Sequence, residues 1–191
     1  MTPSHRKIGG GSEINSLINA RVALLSGESV KVELFQASKY GNGAKVAEEF
    51  QKLMTMKGHS VNIHHIDSAK PKELPPADLY VFGSPTRIGK PIGGMRRFLK
   101  KINLPSGTKY AVFATHGAAK PDKKTGKMPT EEELAKWYRS IPIMDELLRD
   151  KGMVKIADMK VYVVDLKGPL EEGWQKKVEA FVADILSKQG A

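Results

Sequence analysis

Three short stretches of the chain carry residue types suited to holding a flat, anionic ligand. The first is Ser38-Lys39-Tyr40-Gly41-Asn42-Gly43. Its small residues let backbone N–H groups turn inward, and Ser38 and Asn42 add side-chain donors. At the start of a helix such a loop suits a phosphate, because the helix N-terminus adds partial positive charge. It is neither a Walker A loop nor a GxGxxG fingerprint, and a plain Gly/Asn turn is the competing reading. The second stretch is Gly83-Ser84-Pro85-Thr86-Arg87-Ile88-Gly89, where small residues permit close backbone approach to a planar group. The third, Thr115-His116-Gly117-Ala118, is placed to supply the opposite wall. His116 is the candidate acid or base, since histidine titrates near neutrality; a structural or hydrogen-bonding role is the alternative.

The elements that must position these loops follow from hydrophobic periodicity. Val30–Gln36 predicts a strand. Ala44–Met56 places Val46, Ala47, Phe50, Leu53 and Met54 at helical spacing, with Gly58 as a stop. Ser60–Ile66 alternates as an edge strand does, and adjacent His64 and His65 then point to opposite faces and form no metal site. Ala69–Pro76 holds only a short turn. Asp78–Gly83 predicts a third strand, Met95–Ile102 a helix and Lys109–Thr115 a fourth strand. Thr130 and Glu133 form a capping box for a helix from Glu131 towards Lys151, which Pro142 kinks or splits. Asp158–Asp165 predicts a fifth strand, and Glu171–Leu186 a last helix striped by Trp174, Val178, Phe181, Val182 and Ile185. Strands alternating with helices argue for an α/β domain with a parallel, doubly wound sheet and helices on both faces. In such a sheet ligands bind beyond the C-terminal strand ends, where all three loops fall.

Residues 1–29 stand apart from this rhythm. A polar, Gly-rich start precedes a short helix expected from Ser12, with Ile14, Leu17, Ile18 and Leu25 on one face. It is expected to pack on the main domain, 30–191, or on a neighbouring subunit as the arm of a homodimer.

The 191 residues fit one domain with that appendage, and 40% apolar with 27% charged residues is ordinary globular composition. The absence of cysteine excludes disulfides, thiolate zinc and a thiol nucleophile. No apolar run is long enough to span a membrane. The Gly-rich N-terminus does not read as a cleaved signal, so a cytoplasmic location is expected. The net charge of +10 is concentrated. Between Thr86 and Met128 lie eleven basic residues and one acid, Asp122, while the other residues balance. A basic surface of this kind steers an anionic partner, or else is merely a solvated face.

Together, ASKYGNGAKVAEEF, DLYVFGSPTRIGKP and KYAVFATHG resemble the flavodoxin-like FMN-binding proteins in order and spacing, over roughly residues 30–188. The family's phosphate loop has hydroxyl residues at its first, third and sixth positions around a Gly-Asn pair. Ser38 keeps the first and Gly41-Asn42 the pair, whereas Tyr40 and Gly43 replace the others. The SKYG loop is similar to that of the group containing the menaquinone-dependent protoporphyrinogen oxidases.

The resemblance implies a five-stranded sheet of order 2-1-3-4-5 holding one non-covalent FMN as cofactor. It implies Ser38, Lys39, Tyr40, Gly41, Asn42 and Gly43 at the phosphate, Ser84, Pro85, Thr86, Arg87, Ile88 and Gly89 at the ring, and Thr115, His116 and Gly117 at the third contact. With no Trp or Tyr at position 87, the Arg87 guanidinium can stack on the ring; an exposed loop arginine is the alternative. The expected function is electron transfer or an FMN-dependent oxidoreductase acting on a quinone or similar acceptor. The basic segment beside the flavin loops implies an acidic redox protein or a small anionic or quinone acceptor, and nearby positive charge favours the reduced flavin. Trp137 and Trp174 fall on helices as core or interface residues. The alternative is a non-redox module that has lost FMN and binds nucleic acid or another anion through its basic face. The few aromatics interleaved with the basic residues weigh against that reading.

Overall fold

The computed structural model describes residues 29–189. The helix expected from Ser12, and the dimer arm with it, lie outside the described residues.

β1 (Lys31–Gln36) runs through the middle of the sheet, paired in parallel with β2 (Ser60–His65) on one side and β3 (Leu79–Arg87) on the other. β3 pairs with β5 (Lys109–Gly117), and β5 with β6 (Val154–Val163), again in parallel. The two-residue β4 (Lys90–Pro91) folds back antiparallel onto the end of β3. The order is β2-β1-β3-β5-β6, which is 2-1-3-4-5 for the five parallel strands.

Each face of the sheet is buried under two helices. Val32 and Leu34 of β1 face α1 (Asn42–Met56) and α5 (Trp174–Gln189), where Val46, Phe50 and Met54 meet Val178, Phe181 and Val182. Phe50 and Phe181 lie with ring centroids 5.7 Å apart. On the other face Phe35, Tyr80 and Phe82 lie under α2 (Gly93–Lys101) and α4 (Ser140–Arg149), through Met95, Phe98, Leu99, Met144 and Leu148. Burying one such large apolar side chain contributes roughly 2–3 kcal/mol, so this alternation fixes the register of the sheet.

Several element ends shift by two or three residues from the sequence expectation, the last helix running Trp174–Gln189 for one, and three larger departures have a physical cause. β3 continues to Arg87 because its end turns straight back as a hairpin with β4. β6 starts at Val154, four residues before the expected Asp158. Its Lys155, Asp158 and Lys160 make the segment look polar, as suits an edge strand guarded by charge, and a register shift opposite Tyr110/Ala111 buries both Ile156 and Ala157. The kinked helix is two helices, α3 (Glu131–Trp137) and α4, broken at Tyr138–Arg139. Pro142 sits in the first turn of α4, where its missing N–H costs no helical bond. Thr130 and Glu133 do form the reciprocal capping box at the start of α3.

Candidate functional site

The C-terminal ends of β1, β3, β5 and β6 open on one cleft of about 540 Å³. Its floor is the loop between β1 and α1. Ala37 remains tied to the sheet through Gly83, and the Ser38 N–H donates to Gln36 Oε1 at 2.7 Å. The chain then turns through Gly41 in the left-handed region, φ +82°, directly into α1. The first intrahelical bond is Lys45 N–H to Gly41 O, so Asn42, Gly43 and Ala44 lie in the turn whose N–H groups lack helical acceptors. The Gly43 N–H donates to Ser38 Oγ at 3.1 Å, and a Cβ on Gly43 would lie 3.3 Å from the Ser38 Cβ. The backbone therefore runs close to the Ser38 side chain, which explains glycine at the position where the family usually carries a hydroxyl residue.

The wall from β3 depends on two close approaches. A Cβ on Gly83 would meet the Phe113 ring at 2.0 Å, so only glycine lets β3 lie against β5 here. Ser84 is buried and does not line the cleft; its hydroxyl donates to Pro85 O at 3.0 Å and accepts from Ile92 N–H at 3.3 Å, pinning the β3–β4 hairpin. Pro85, Thr86 and Arg87 face the cleft.

The wall from β5 carries His116, which is only 1% exposed. Its Nδ1 is 2.9 Å from Thr86 Oγ1, which in turn is 2.6 Å from Ser140 Oγ. Its ring packs on Tyr138 at 4.5 Å between centroids, and the Tyr138 hydroxyl donates to Gly117 O at 2.8 Å. Burial, helped by the nearby Lys160 charge, pushes the His116 pKa down to about 4. The imidazole is therefore neutral at physiological pH and joins the Thr86–Ser140 hydrogen-bonded chain through Nδ1. Its Nε2 is buried with no partner among the described residues.

Of the residues expected at a ligand, Ser38, Lys39, Tyr40, Asn42, Gly43, Pro85, Thr86, Arg87, Thr115, His116 and Gly117 line this one cleft. Gly41, Ser84, Ile88 and Gly89 do not: Gly41 makes the turn, Ser84 holds the hairpin, and Ile88 and Gly89 form its tip. The structure adds a fourth loop that sequence reasoning passed over. Val163 at the end of β6 and Val164, Asp165 and Leu166 just after it line the cleft, and Ala118 and Lys120 join them. Asn42 Nδ2 donates to Lys167 O at 3.2 Å, linking this loop to the start of α1. Lys120 pairs with Asp165 at 3.2 Å. The Leu166 N–H, with Lys120, holds the Asp165 carboxyl below the usual carboxylate range. Lys39 and Lys167 both lie within 6 Å of the Tyr40 ring centroid, at 5.5 and 5.9 Å. The only available signal was position, since every parallel strand end at this edge of the sheet is a candidate wall. Among the described residues no group of histidines and carboxylates could hold a metal ion, and no helix is long and apolar enough to cross a membrane.

A flavodoxin domain family model matches residues 34–156. Among solved structures, flavodoxin 2 from Bacillus cereus is similar at 21% identity and a TM-score of 0.63, over 83% of this chain and 99% of that one. A flavodoxin from the domain Archaea is similar at 20% identity and a TM-score of 0.59, over 84% and 99%. Rubredoxin oxygen:oxidoreductase from Desulfovibrio gigas is similar at 16% identity and a TM-score of 0.59, over 84% of this chain, which spans only 36% of that larger protein. None of the curated proteins matches the chain. At such identities the solved structures speak for the fold alone. The family match covers well over half of the chain and all but the last-formed wall of the cleft, so the chain belongs to the flavodoxin domain family, whose members imply FMN and electron transfer.

Proposed function

We propose that this chain binds FMN non-covalently in the cleft and exchanges electrons with an acidic or anionic redox partner. The observation that carries the reading is the start of α1. N–H groups without helical acceptors and the Ser38 hydroxyl open onto the floor of a cleft whose walls come from three further strand ends. The volume lies in the range of small-molecule sites. The residues fit the group: the loop around Ser38–Gly43 would hold the phosphate, while Thr86, Arg87, His116 and the Val164–Leu166 segment would border the ring system. Bound there, FMN supplies the redox chemistry. The protein's part is orientation, a neutral imidazole wall, and positive charge from Lys39, Arg87 and Lys167 that favours an anionic reduced cofactor, Lys120 being paired with Asp165.

The test is a flavin spectrum of the purified protein, followed by titration with FMN and with riboflavin, which lacks the phosphate. FMN is expected to bind far more tightly than riboflavin. No binding of either, with tight salt-sensitive DNA binding instead, would establish the non-redox alternative.

A second reading, reduction of a quinone, is favoured by the apolar lip of the cleft. Val164 and Leu166 are exposed beside Tyr40, and the SKYG loop is similar to that of the protoporphyrinogen oxidase group. Two-electron turnover with a soluble quinone distinguishes it from a one-electron carrier.

A further inference from the structure

We propose that the rim beside the cleft, centred on Ile88 and Trp137, is the docking surface for an acidic electron-transfer protein; this rests on the FMN reading above. Ile88 and Gly89 form the two-residue turn between β3 and β4, and Ile88 has φ +49°. A β-branched residue is poorly suited to the left-handed region, and such turns normally carry Asn, Asp or Gly. The Ile88 side chain is 82% exposed, so no packing within the described residues offsets the strain. Across the same turn Arg87 stands opposite Lys90, a like-charge pair that also weakens the hairpin. Two local rules are thus broken at one exposed tip, the pattern expected where stability yields to recognition.

The tip adjoins a second exposed apolar residue. Gly89 O accepts the Arg139 N–H at 2.9 Å, and a Cβ on Gly89 would lie 2.9 Å from Trp137 O. The hairpin turn and the end of α3 are therefore neighbours, and Trp137 is 62% exposed. Around them stand Arg87, Lys90, Lys136 and Arg139, none with a carboxylate within 4.0 Å among the described residues. Arg87 also lines the cleft, so this surface is continuous with the electron exit. An exposed tryptophan and isoleucine ringed by unpaired cations fit a protein interface with an apolar anchor and steering charge. A second copy of the chain is disfavoured by the shared +10 charge. Glu131 and Glu132 lie in the first turn of α3, at the opposite end of that helix from Trp137, and an anionic bilayer is the competing occupant that the experiment separates.

The experiment uses the full chain loaded with FMN and mixes it rapidly with a reduced acidic plant-type [2Fe–2S] ferredoxin. One electron leaves the iron–sulfur cluster and enters the flavin. Reduced methyl viologen, a small low-potential reductant that needs no docking surface, is the control. Ile88→Asn suits the left-handed turn and is expected to raise the melting temperature while slowing the ferredoxin reaction about fivefold. Trp137→Ser and the pair Lys90→Glu/Lys136→Glu, both outside the cleft lining, are expected to slow it about tenfold or more, with the charge variant also flattening its salt dependence. Dithionite bleaching of the flavin band in the same samples reports the cofactor independently of docking, so its absence marks failure of the FMN reading alone. Unchanged ferredoxin rates in flavin-loaded variants, or slowing of the viologen reaction by the same factors, overturn the proposal. So does wild-type self-association, or binding to phosphatidylserine vesicles, that these substitutions abolish.

Discussion

Ser38 Oγ accepts a hydrogen bond from the Gly43 N–H at 3.1 Å, tying the first residue of the loop to the first turn of α1. The loop is thereby held in the shape of a cradle before any ligand arrives. Gly43→Thr places new atoms against the Ser38 Cβ, which already lies 3.3 Å from where a Cβ would stand. The expected result is FMN binding weakened about tenfold, equivalent to roughly 1.4 kcal/mol, with the circular dichroism spectrum unchanged. Calorimetric titration checks it; equal affinity would show that the cradle tolerates a side chain there.

His116 makes stability depend on pH. Its folded pKa is about 4 against an ordinary value near 6.5, with burial the main cause and Lys160 the second. The unfolded chain therefore takes up the proton at a higher pH than the folded one. The contribution is whole above pH 6.5 and is lost as pH falls towards 4, by up to about 3 kcal/mol. Urea unfolding across that window should show the slope, and His116→Gln should flatten it. A His116→Gln protein with the wild-type slope would assign the effect to other groups.

Gly83→Ala forces a methyl group into the Phe113 ring, 2.0 Å from its nearest atom. Both residues lie in paired strands of the sheet centre, so neither can move away easily. The expected cost is roughly 3 kcal/mol, read as a lower urea midpoint with unchanged slope. An unchanged midpoint would mean that the two strands are not packed as described.

Asn42→Ala removes the side-chain donor to Lys167 O. Global stability should fall by about 1 kcal/mol, and FMN should dissociate faster because the far wall of the cleft is no longer tethered. Stopped-flow dissociation measures this; an unaltered off-rate would show that the β6 loop does not border the cofactor.

Much of the architecture was legible because burial follows a simple period in each element. Val32 and Leu34 face one way and Phe35 the other, and α1 repeats its apolar residues at helical spacing. The tight loop between β1 and α1 was legible for a related reason: glycine and small polar residues between a strand and a helix permit a left-handed turn such as that at Gly41. What escaped was determined by partners distant in sequence. Nothing local marks Ile88 as the tip of a hairpin, since isoleucine is a poor turn residue. Nor does anything local show that the Ser84 hydroxyl accepts from Ile92 N–H, eight residues on. The Val164–Leu166 segment has no turn signature of its own and becomes a wall only because β6 ends beside β5. Pro142 was read correctly as incompatible with one straight helix, but the break lies upstream, because proline is accommodated in the first turn of α4.

The Asn42–Lys167 bond spans 125 residues of sequence. The floor of the cleft is thus among the first parts of the domain to leave a ribosome, and the far wall is among the last. Until β6 has been synthesised and paired, the cradle can offer a cofactor only a shallow, open shelf. On the FMN reading, cofactor capture waits until β6 has been made, and a chain cut before β6 should hold FMN only weakly.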